Sequence, residues 1–181
     1  MKICVFCSSG RNLPAIYYTD VRGLAERLGR EGHSLVFGGF AAGLMETVAD
    51  GFEEAGSEII GVIPESLISP VRHVHKGCTE VIRTADLAQR KQKMIEVADG
   101  LLTLPGGTGT LDEFFSAVAM KQADELDKPI VLYDPNGFYA DLMRWFERAG
   151  REQFLVKPMK DLFIYSRTAD EVIRAFAGEK A

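Results

Sequence analysis

Short apolar runs alternate along the chain with longer segments in which apolar residues recur every three or four positions. Residues 2–7 form one such run, and in the segment that follows Ile16, Val21, Leu24 and Leu28 share one helical face. The same alternation predicts strands at 2–7, 34–37, 59–63, 100–104, 130–133 and 162–165. It predicts helices at 14–30, 44–55, 85–98, 111–125, 137–149 and 169–176, and irregular structure in the polar stretch 64–83.

The predicted strands are apolar on both faces, and this indicates how the domain is built. Such strands, when they alternate with helices, are typical of a parallel sheet covered by helices on both sides. The 181 residues are enough for one domain with a sizeable core, and no repeat, low-complexity segment or linker divides them. We therefore predict a single α/β domain, residues 1–181, with a doubly wound, Rossmann-like parallel sheet.

Composition and charge narrow the classes of partner. The formal net charge is −5 and no run of Lys and Arg offsets it, which argues against nucleic acid and an anionic membrane surface. No apolar run approaches the roughly 18 residues needed to span a bilayer, and the N-terminus is too quickly polar for a signal peptide. We therefore expect a cytoplasmic protein that binds a small molecule.

The cysteines do not suggest redox chemistry. Their number, three, is odd, which disfavours a disulfide framework. Cys4 and Cys7 have C-x-x-C spacing, but redox pairs of that kind open a helix, whereas this pair lies within an apolar, strand-like run. We predict that Cys4 is a buried strand residue.

Small residues follow three of the predicted strands. The first strand ends in C-S-S-G at 7–10, the second leads into G-G-F-A-A-G at 38–43, and the fourth leads into P-G-G-T-G-T at 105–110. In an open parallel sheet, ligands bind beyond the carboxyl ends of the strands. The three turns therefore predict one ligand site, and its candidate residues in the first two turns are Ser8, Ser9, Gly39 and Gly43.

The third turn is the most informative of the three. Its glycines let a ligand approach the backbone closely, and the exposed amides of the helix that follows attract an anion. The threonines add hydroxyl donors, so the turn predicts a phosphate site. Its candidate residues are Gly106, Gly107, Thr108, Gly109 and Thr110.

Two familiar classes of phosphate-binding protein do not match this chain, because their motifs are missing from it. The chain lacks G-x-x-x-x-G-K-[ST], so it is not a P-loop NTPase. The first turn lacks G-x-G-x-x-G, and no acidic residue closes the second strand to hold a ribose, which disfavours hydride chemistry with NAD. We predict no cofactor.

Two charged residues near these turns have ordinary local explanations. Thr110 and Glu113 have the spacing of a capping box, in which the glutamate bonds back to the first amide of a helix. Arg90 lies in the polar stretch L-A-Q-R-K-Q-K, which fits an exposed helix face. The residues alone leave open whether either one is catalytic.

A longer motif contains both residues. Residues 105–113 match P-G-G-x-G-T-x-x-E, and Arg90-Lys91 stands 15 residues before Pro105. This combination resembles the Lonely Guy family, the cytokinin riboside 5′-monophosphate phosphoribohydrolases, which were long labelled lysine decarboxylases. The resemblance extends over most of the chain, through residues 4–9, 38–45, 60–64 and 127–129.

The resemblance implies a function and the residues that perform it. The function is hydrolysis of the N-glycosidic bond of an AMP-like nucleoside 5′-monophosphate, with Arg90 and Glu113 as catalytic residues. Lys91 and the segment 107–110 would hold the nucleotide, without a metal. The family forms dimers with active sites near the subunit interface, so a homodimer is implied. Decarboxylation of lysine would need a lysine that binds pyridoxal phosphate, and nothing in the sequence marks one.

Several positions depart from the family pattern and leave the preferred base open, prenylated adenine above all. They are Glu46, Arg72, Leu87, Ala88, Ala119 and Met120. The alternative function is therefore a nucleotide-binding or carrier protein of the same fold without hydrolase activity. A relative that binds single-stranded DNA would need a basic groove, which the acidic composition disfavours.

Two further groups of residues have open interpretations. His73 and His75 lack a third metal ligand nearby in sequence, so we predict an exposed pair or a pocket rim rather than a metal site. The apolar residues of the motif helix fit either a subunit contact or the core. They are Phe114, Phe115, Val118 and Met120.

Overall fold

The computed structural model describes residues 1–69 and 73–178, so Arg72 lies outside the described residues. The described residues form a seven-stranded sheet in the order β4-β3-β2-β1-β5-β6-β7. Every neighbouring pair of strands is parallel. The predicted doubly wound α/β class is therefore confirmed.

The strands and helices follow one another along the chain in near alternation. The strands are β1 Lys2–Phe6, β2 Ser34–Phe37, β3 Ile59–Pro64, β4 Glu80–Thr84, β5 Gly100–Thr103, β6 Ile130–Tyr133 and β7 Ile164–Ser166. The helices are α1 Ala15–Arg30, α2 Gly43–Glu54, α3 Leu87–Val97, α4 Thr108–Gln122, α5 Ala140–Arg151, α6 Met159–Leu162 and α7 Ala169–Ala177.

The sheet is buried on both faces because successive strand residues point to opposite sides. In β1, Ile3 and Val5 pack with α1, α2 and α7, whereas Cys4 and Phe6 pack with residues of α3, α4, α5 and α6. Cys4 is fully buried and is not in a disulfide, as predicted. Among the described residues, no helix is both long enough and apolar enough to cross a membrane.

The topology creates a crevice at the centre of the sheet. β1 pairs with β2 on one side and with β5 on the other, so the strand order reverses between β1 and β5. The connections from neighbouring strands then leave to opposite faces, and a ligand can enter between them. The first and third predicted turns follow β1 and β5, so they lie on either side of this crevice.

Several elements differ from the sequence prediction, and one is α5, which begins at Ala140, three residues after the predicted start. β4 lies within the stretch predicted to be irregular, because an edge strand with one neighbour keeps polar residues and carries no continuous apolar run. α4 begins at Thr108, three residues before the predicted start. The short helix α6 occupies the start of the last predicted strand, so β7 begins at Ile164.

Candidate active site

A cavity of about 750 Å³ opens at the carboxyl ends of the central strands. All three predicted turns contribute to its wall, together with the beginning of α3. The lining residues are Cys7, Ser8, Ser9, Arg11, Phe40, Ala41, Ala42, Met45, Leu67, His73, Leu87, Arg90, Gly107, Thr108, Gly109, Thr110 and Glu113. The reversal of strand order and the cavity therefore coincide, as expected for a doubly wound sheet.

Most of the predicted ligand residues line this cavity. Ser8 and Ser9 contribute from the first turn, and residues 107–110 contribute from the third. Gly39, Gly43, Gly106 and Lys91 are not among the lining residues. In the first three of these residues, the absence of a side chain lets other atoms of the protein approach the glycine backbone closely. Lys91 has a partner on α4.

Gly43 is the point at which α2 meets the first turn. Its φ of +56° lies in the left-handed region, and a Cβ there would stand 2.3 Å from the carbonyl oxygen of Gly10. The amides of Leu44 and Met45 donate to the carbonyl oxygen of Ser8 at 2.9 and 3.3 Å. The start of α2 is therefore bound to protein and is not free to hold an anion.

The start of α4 is arranged differently. Its N-cap is Gly107, which has no side chain to cap the helix, and the first bond of the helix runs from the amide of Leu111 to the Gly107 carbonyl. The amides of Thr108, Gly109 and Thr110 have no acceptor within the helix, and they lie in the cavity wall. The third helix start at the cavity, that of α3, is capped by the side chain of Asp86, which accepts from the amide of Gln89. Of the three, that of α4 is the one suited to a phosphate.

Arg90 and Glu113 form a buried ion pair at the base of this region. Arg90 Nη2 lies 2.8 Å from Glu113 Oε1, and the two side chains are 12 % and 5 % exposed. The capping-box interpretation of Glu113 is therefore wrong: α4 begins at Thr108, and the carboxylate bonds to Arg90. The interpretation of Arg90 as part of an exposed face is wrong as well.

Burial changes the acid–base chemistry of Glu113. Loss of hydration raises the pKa of its carboxyl above the ordinary value, although the neighbouring Arg90 guanidinium lowers it. Among the described residues, the Nε atom of Arg90 is buried without a hydrogen-bond partner. A buried donor without an acceptor costs free energy, and the ion pair with Glu113 does not offset this cost because that pair uses Nη2.

Gly38 leaves room for the guanidinium of Arg90. A Cβ at position 38 would lie 3.3 Å from Arg90 Nη1 and 3.1 Å from the Cε atom of Met45. From this turn, the sequence pointed to Gly39 and Gly43 as ligand residues, and Gly38 was not among them. The structure shows that Gly38 instead accommodates the side chains of Arg90 and Met45.

Lys91 points away from the cavity toward α4. Its Nζ atom lies 2.9 and 2.8 Å from the two carboxylate oxygens of Asp112. Two consecutive residues of α3 thus pair with two consecutive residues of α4, and only the pair of Arg90 with Glu113 lines the cavity. A nucleotide-binding role for Lys91 stays a prediction.

Several cavity residues were not found from the sequence. Arg11 follows the first turn directly, and Phe40 lies between the glycines of the second, so their positions carried a signal. Met45 lies in the segment 38–45 that resembles the family but was not named as a site residue. Leu67 carried no signal, because only folding brings it to the cavity. Cys7 also lines the cavity, but burial raises the pKa of its thiol, which disfavours a thiolate nucleophile.

Among the departures from the family pattern that the structure describes, Leu87 is the one that lines the cavity, and it is 54 % exposed. Glu46, Ala88, Ala119 and Met120 do not line the cavity. These four positions therefore have no direct contact with the space in which a base would lie.

The two histidines have different environments. His73 is exposed and lines the cavity, as the pocket-rim interpretation predicted. His75 is only 6 % exposed, so the exposed-pair interpretation is wrong for it. Its Nε2 atom lies 3.0 Å from Asp50 Oδ1, and its Nδ1 atom accepts from the amide of Gly77 at 3.1 Å.

His75 also has acidic neighbours that the sequence did not indicate. Ligand atoms of Asp50, Glu53 and His75 lie within 4.8 Å of one another. The amide of Gly77 requires a lone pair on Nδ1, so the proton of the ring is on Nε2 and is donated to Asp50. Arg22 Nη1 also lies 3.3 Å from Asp50 Oδ2. The imidazole is therefore satisfied by protein groups.

The apolar residues of α4 belong mainly to the core. Phe114 and Val118 are buried among the residues that pack on the face of the sheet covered by α3–α6. Phe115 and Met120 are partly buried against the same cluster. The core interpretation therefore holds for Phe114 and Val118.

Comparison with known proteins identifies the family. Residues 45–176 match the family model described as possible lysine decarboxylase. A cytokinin riboside 5′-monophosphate phosphoribohydrolase of Arabidopsis thaliana is 32 % identical over 173 residues, which cover 96 % of this chain and 80 % of that protein. The chain belongs to the Lonely Guy family. Another member, from Rhodococcoides fascians, is 32 % identical over 174 residues, covering 96 % of this chain and 88 % of its own.

Solved structures show the same fold outside the close relatives. The molybdenum cofactor carrier protein of Chlamydomonas reinhardtii superposes with a TM-score of 0.72 at 22 % identity, covering 98 % of this chain and 96 % of its own. The DNA processing protein A of Helicobacter pylori, described as binding single-stranded DNA, gives 0.67 at 14 % identity, covering 100 % and 82 %. At these sequence identities, the similarity shows only that the folds are alike.

Proposed function

We propose that this Lonely Guy protein hydrolyses the N-glycosidic bond of an AMP-like nucleoside 5′-monophosphate and releases the free base and ribose 5-phosphate. The observation that carries the proposal is the buried pair of Arg90 and Glu113 in the same cavity wall as the first amides of α4. A site for an anion and a buried carboxylate thus face one crevice. Relatives that cover most of the chain are phosphoribohydrolases, which supports the same chemistry.

The phosphate would bind at the start of α4. The amides and hydroxyls of residues 108–110 line the cavity there, and charge-assisted hydrogen bonds contribute roughly 1.5–3 kcal/mol each. The phosphate is remote from the bond that breaks, so its binding energy positions C1′ of the ribose for reaction. Nucleosides without a phosphate should therefore be much poorer substrates.

Glu113 would act on the ribose and on the attacking water. As the C1′–N bond breaks, its electrons go to the base and the ribose gains positive charge, which a nearby carboxylate stabilises. The same carboxylate takes a proton from the water whose oxygen bonds to C1′, and Glu113 gives this proton up to the nitrogen of the departing base, which regenerates the carboxylate. Arg90 holds the carboxylate through Nη2 and, because it lines the cavity, places its positive charge beside the ligand.

A substrate panel tests the proposal. We would incubate the purified protein with AMP, GMP, CMP, UMP and isopentenyladenosine monophosphate and measure free base by chromatography. We expect base release from an adenine nucleotide, and the panel would also identify the preferred base. Thermal stabilisation by a nucleotide without release of free base would instead indicate a binding or carrier protein. Molybdenum cofactor carriers, which have a similar fold, are examples of that second function.

The raised pKa of Glu113 predicts the pH dependence of the reaction. The reaction needs the carboxylate, so kcat/KM should fall as the pH falls through the pKa of Glu113. Because burial raises that pKa above the ordinary value of 4.5, the acid limb should lie above pH 4.5. A pH–rate profile checks this, and an acid limb below 4.5 would contradict the assignment. The homodimer and the absence of nucleic-acid binding stay predictions.

A further inference from the structure

Tyr139 lies directly before α5 and is 3 % exposed. Its hydroxyl donates a hydrogen bond to the carbonyl oxygen of Leu104 at 2.8 Å. Leu104 directly precedes Pro105 and the glycine turn that leads to α4. The hydroxyl of Tyr139 therefore contacts the backbone at the beginning of this turn.

The backbone of Tyr139 is itself fixed to the sheet. Its amide donates to Asp134 Oδ2 at 3.0 Å, and the hydroxyl of Tyr165 donates to the same oxygen at 2.8 Å. Asp134 follows β6 directly and is fully buried. Tyr139 is therefore held at the rigid end of β6, independently of the turn that its hydroxyl contacts.

Two glycines of the turn lie on its open side. A Cβ at Gly107 or at Gly109 would meet nothing within 4 Å, so these residues are not packed against other parts of the protein. Glycine also restricts its own backbone less than any other residue. The turn is fixed at its base instead, where the Leu104 amide donates to the Phe6 carbonyl at 2.9 Å and the Leu104 carbonyl accepts from Tyr139.

We propose that Tyr139 is a positioning residue for the anion site, whose hydroxyl holds the backbone carbonyl of Leu104 at the start of the glycine turn so that the first amides of α4 face the phosphate. This inference rests on the proposed function in one respect, namely that the phosphate binds at the start of α4. It adds a residue 26 positions beyond Glu113 that acts on phosphate affinity without touching the ligand.

The test is Tyr139→Phe, which removes one oxygen and keeps the ring. By calorimetry we expect the dissociation constant for ribose 5-phosphate to rise about tenfold, the equivalent of losing the alignment of one charge-assisted hydrogen bond. Affinity for adenosine, which has no phosphate, should stay unchanged. A purely structural role would weaken both ligands or neither.

Tyr165→Phe is the matched control. It removes a hydroxyl that bonds to the same carboxylate of Asp134 but does not touch the turn. It should lower the melting temperature without changing affinity for ribose 5-phosphate.

Each alternative outcome has a distinct meaning. Unchanged affinity for ribose 5-phosphate in Tyr139→Phe would overturn the inference, and so would an equal loss in both variants. Failure of Tyr139→Phe to fold would assign the hydroxyl to overall stability and would also overturn it. If the wild-type protein binds neither AMP nor ribose 5-phosphate, the proposed function itself fails.

Discussion

Glu113→Gln should lower kcat by at least about 100-fold and leave nucleotide affinity within a few-fold of wild type. General acid–base groups contribute about 10²–10⁴-fold to rate, and the glutamine amide cannot take a proton from water. It has the same shape as the glutamate and can still accept a hydrogen bond from Arg90 Nη2, so the cavity should keep its form. Base release at saturating nucleotide measures kcat, and calorimetry measures affinity.

The substitution also removes the charge that neutralises Arg90, so stability has to be followed in parallel. Breaking a buried ion pair by removing one charge is destabilising, and a partly unfolded variant would mimic a catalytic loss. Thermal melting of the variant separates the two effects. Glu96→Gln is the matched control, because Glu96 pairs with Lys93 on the exposed side of α3 and does not line the cavity. Near-normal turnover in Glu113→Gln would refute the catalytic role.

Gly43→Ala should lower the free energy of unfolding by about 2–5 kcal/mol. Alanine at φ +56° costs about 1–2 kcal/mol, and overpacking adds about 1–3. The new Cβ would lie 2.3 Å from the carbonyl oxygen of Gly10 and 2.8 Å from the carbonyl carbon of Ser9. Both atoms are backbone, so α2 and the first turn would have to separate. Urea unfolding measures the effect.

Gly56→Ala is the control that isolates the collision from the backbone conformation. Gly56 has a φ of +73°, also in the left-handed region, but a Cβ there would meet nothing within 4 Å. It should therefore cost only about 1–2 kcal/mol. If Gly43→Ala is no more destabilising than Gly56→Ala, the close approach of α2 to the first turn does not limit stability.

Much of the fold could be predicted from the sequence because the signals are local. Strands such as β2 and β6 are apolar on both faces, and their spacing to the next amphipathic helix indicates a parallel sheet. The glycine turn before α4 could be predicted equally well, since its composition indicates an open backbone at the start of a helix. β4 was missed because an edge strand, with a single neighbour in the sheet, lacks the apolar run on which the prediction depended.

Both the sequence and the structure were needed to describe the candidate site. The family motif named Arg90 and Glu113, but their local patterns fitted an exposed helix face and a capping box equally well. The structure decided between these interpretations because α3 and α4 bring the two side chains, 23 positions apart, to 2.8 Å in a buried place. His75 is similar, since its hydrogen bond to Asp50 joins residues that are 25 positions apart.

The sequence by itself therefore determined the order of the elements, the class of the sheet and the position of the glycine turns, because these depend on the spacing and conformational freedom of neighbouring residues. The tertiary structure decided which charged groups lose their water, which partners they find and which glycines face a ligand rather than a neighbouring element. Burial and pairing depend on what distant segments bring together, and no local pattern contains that information.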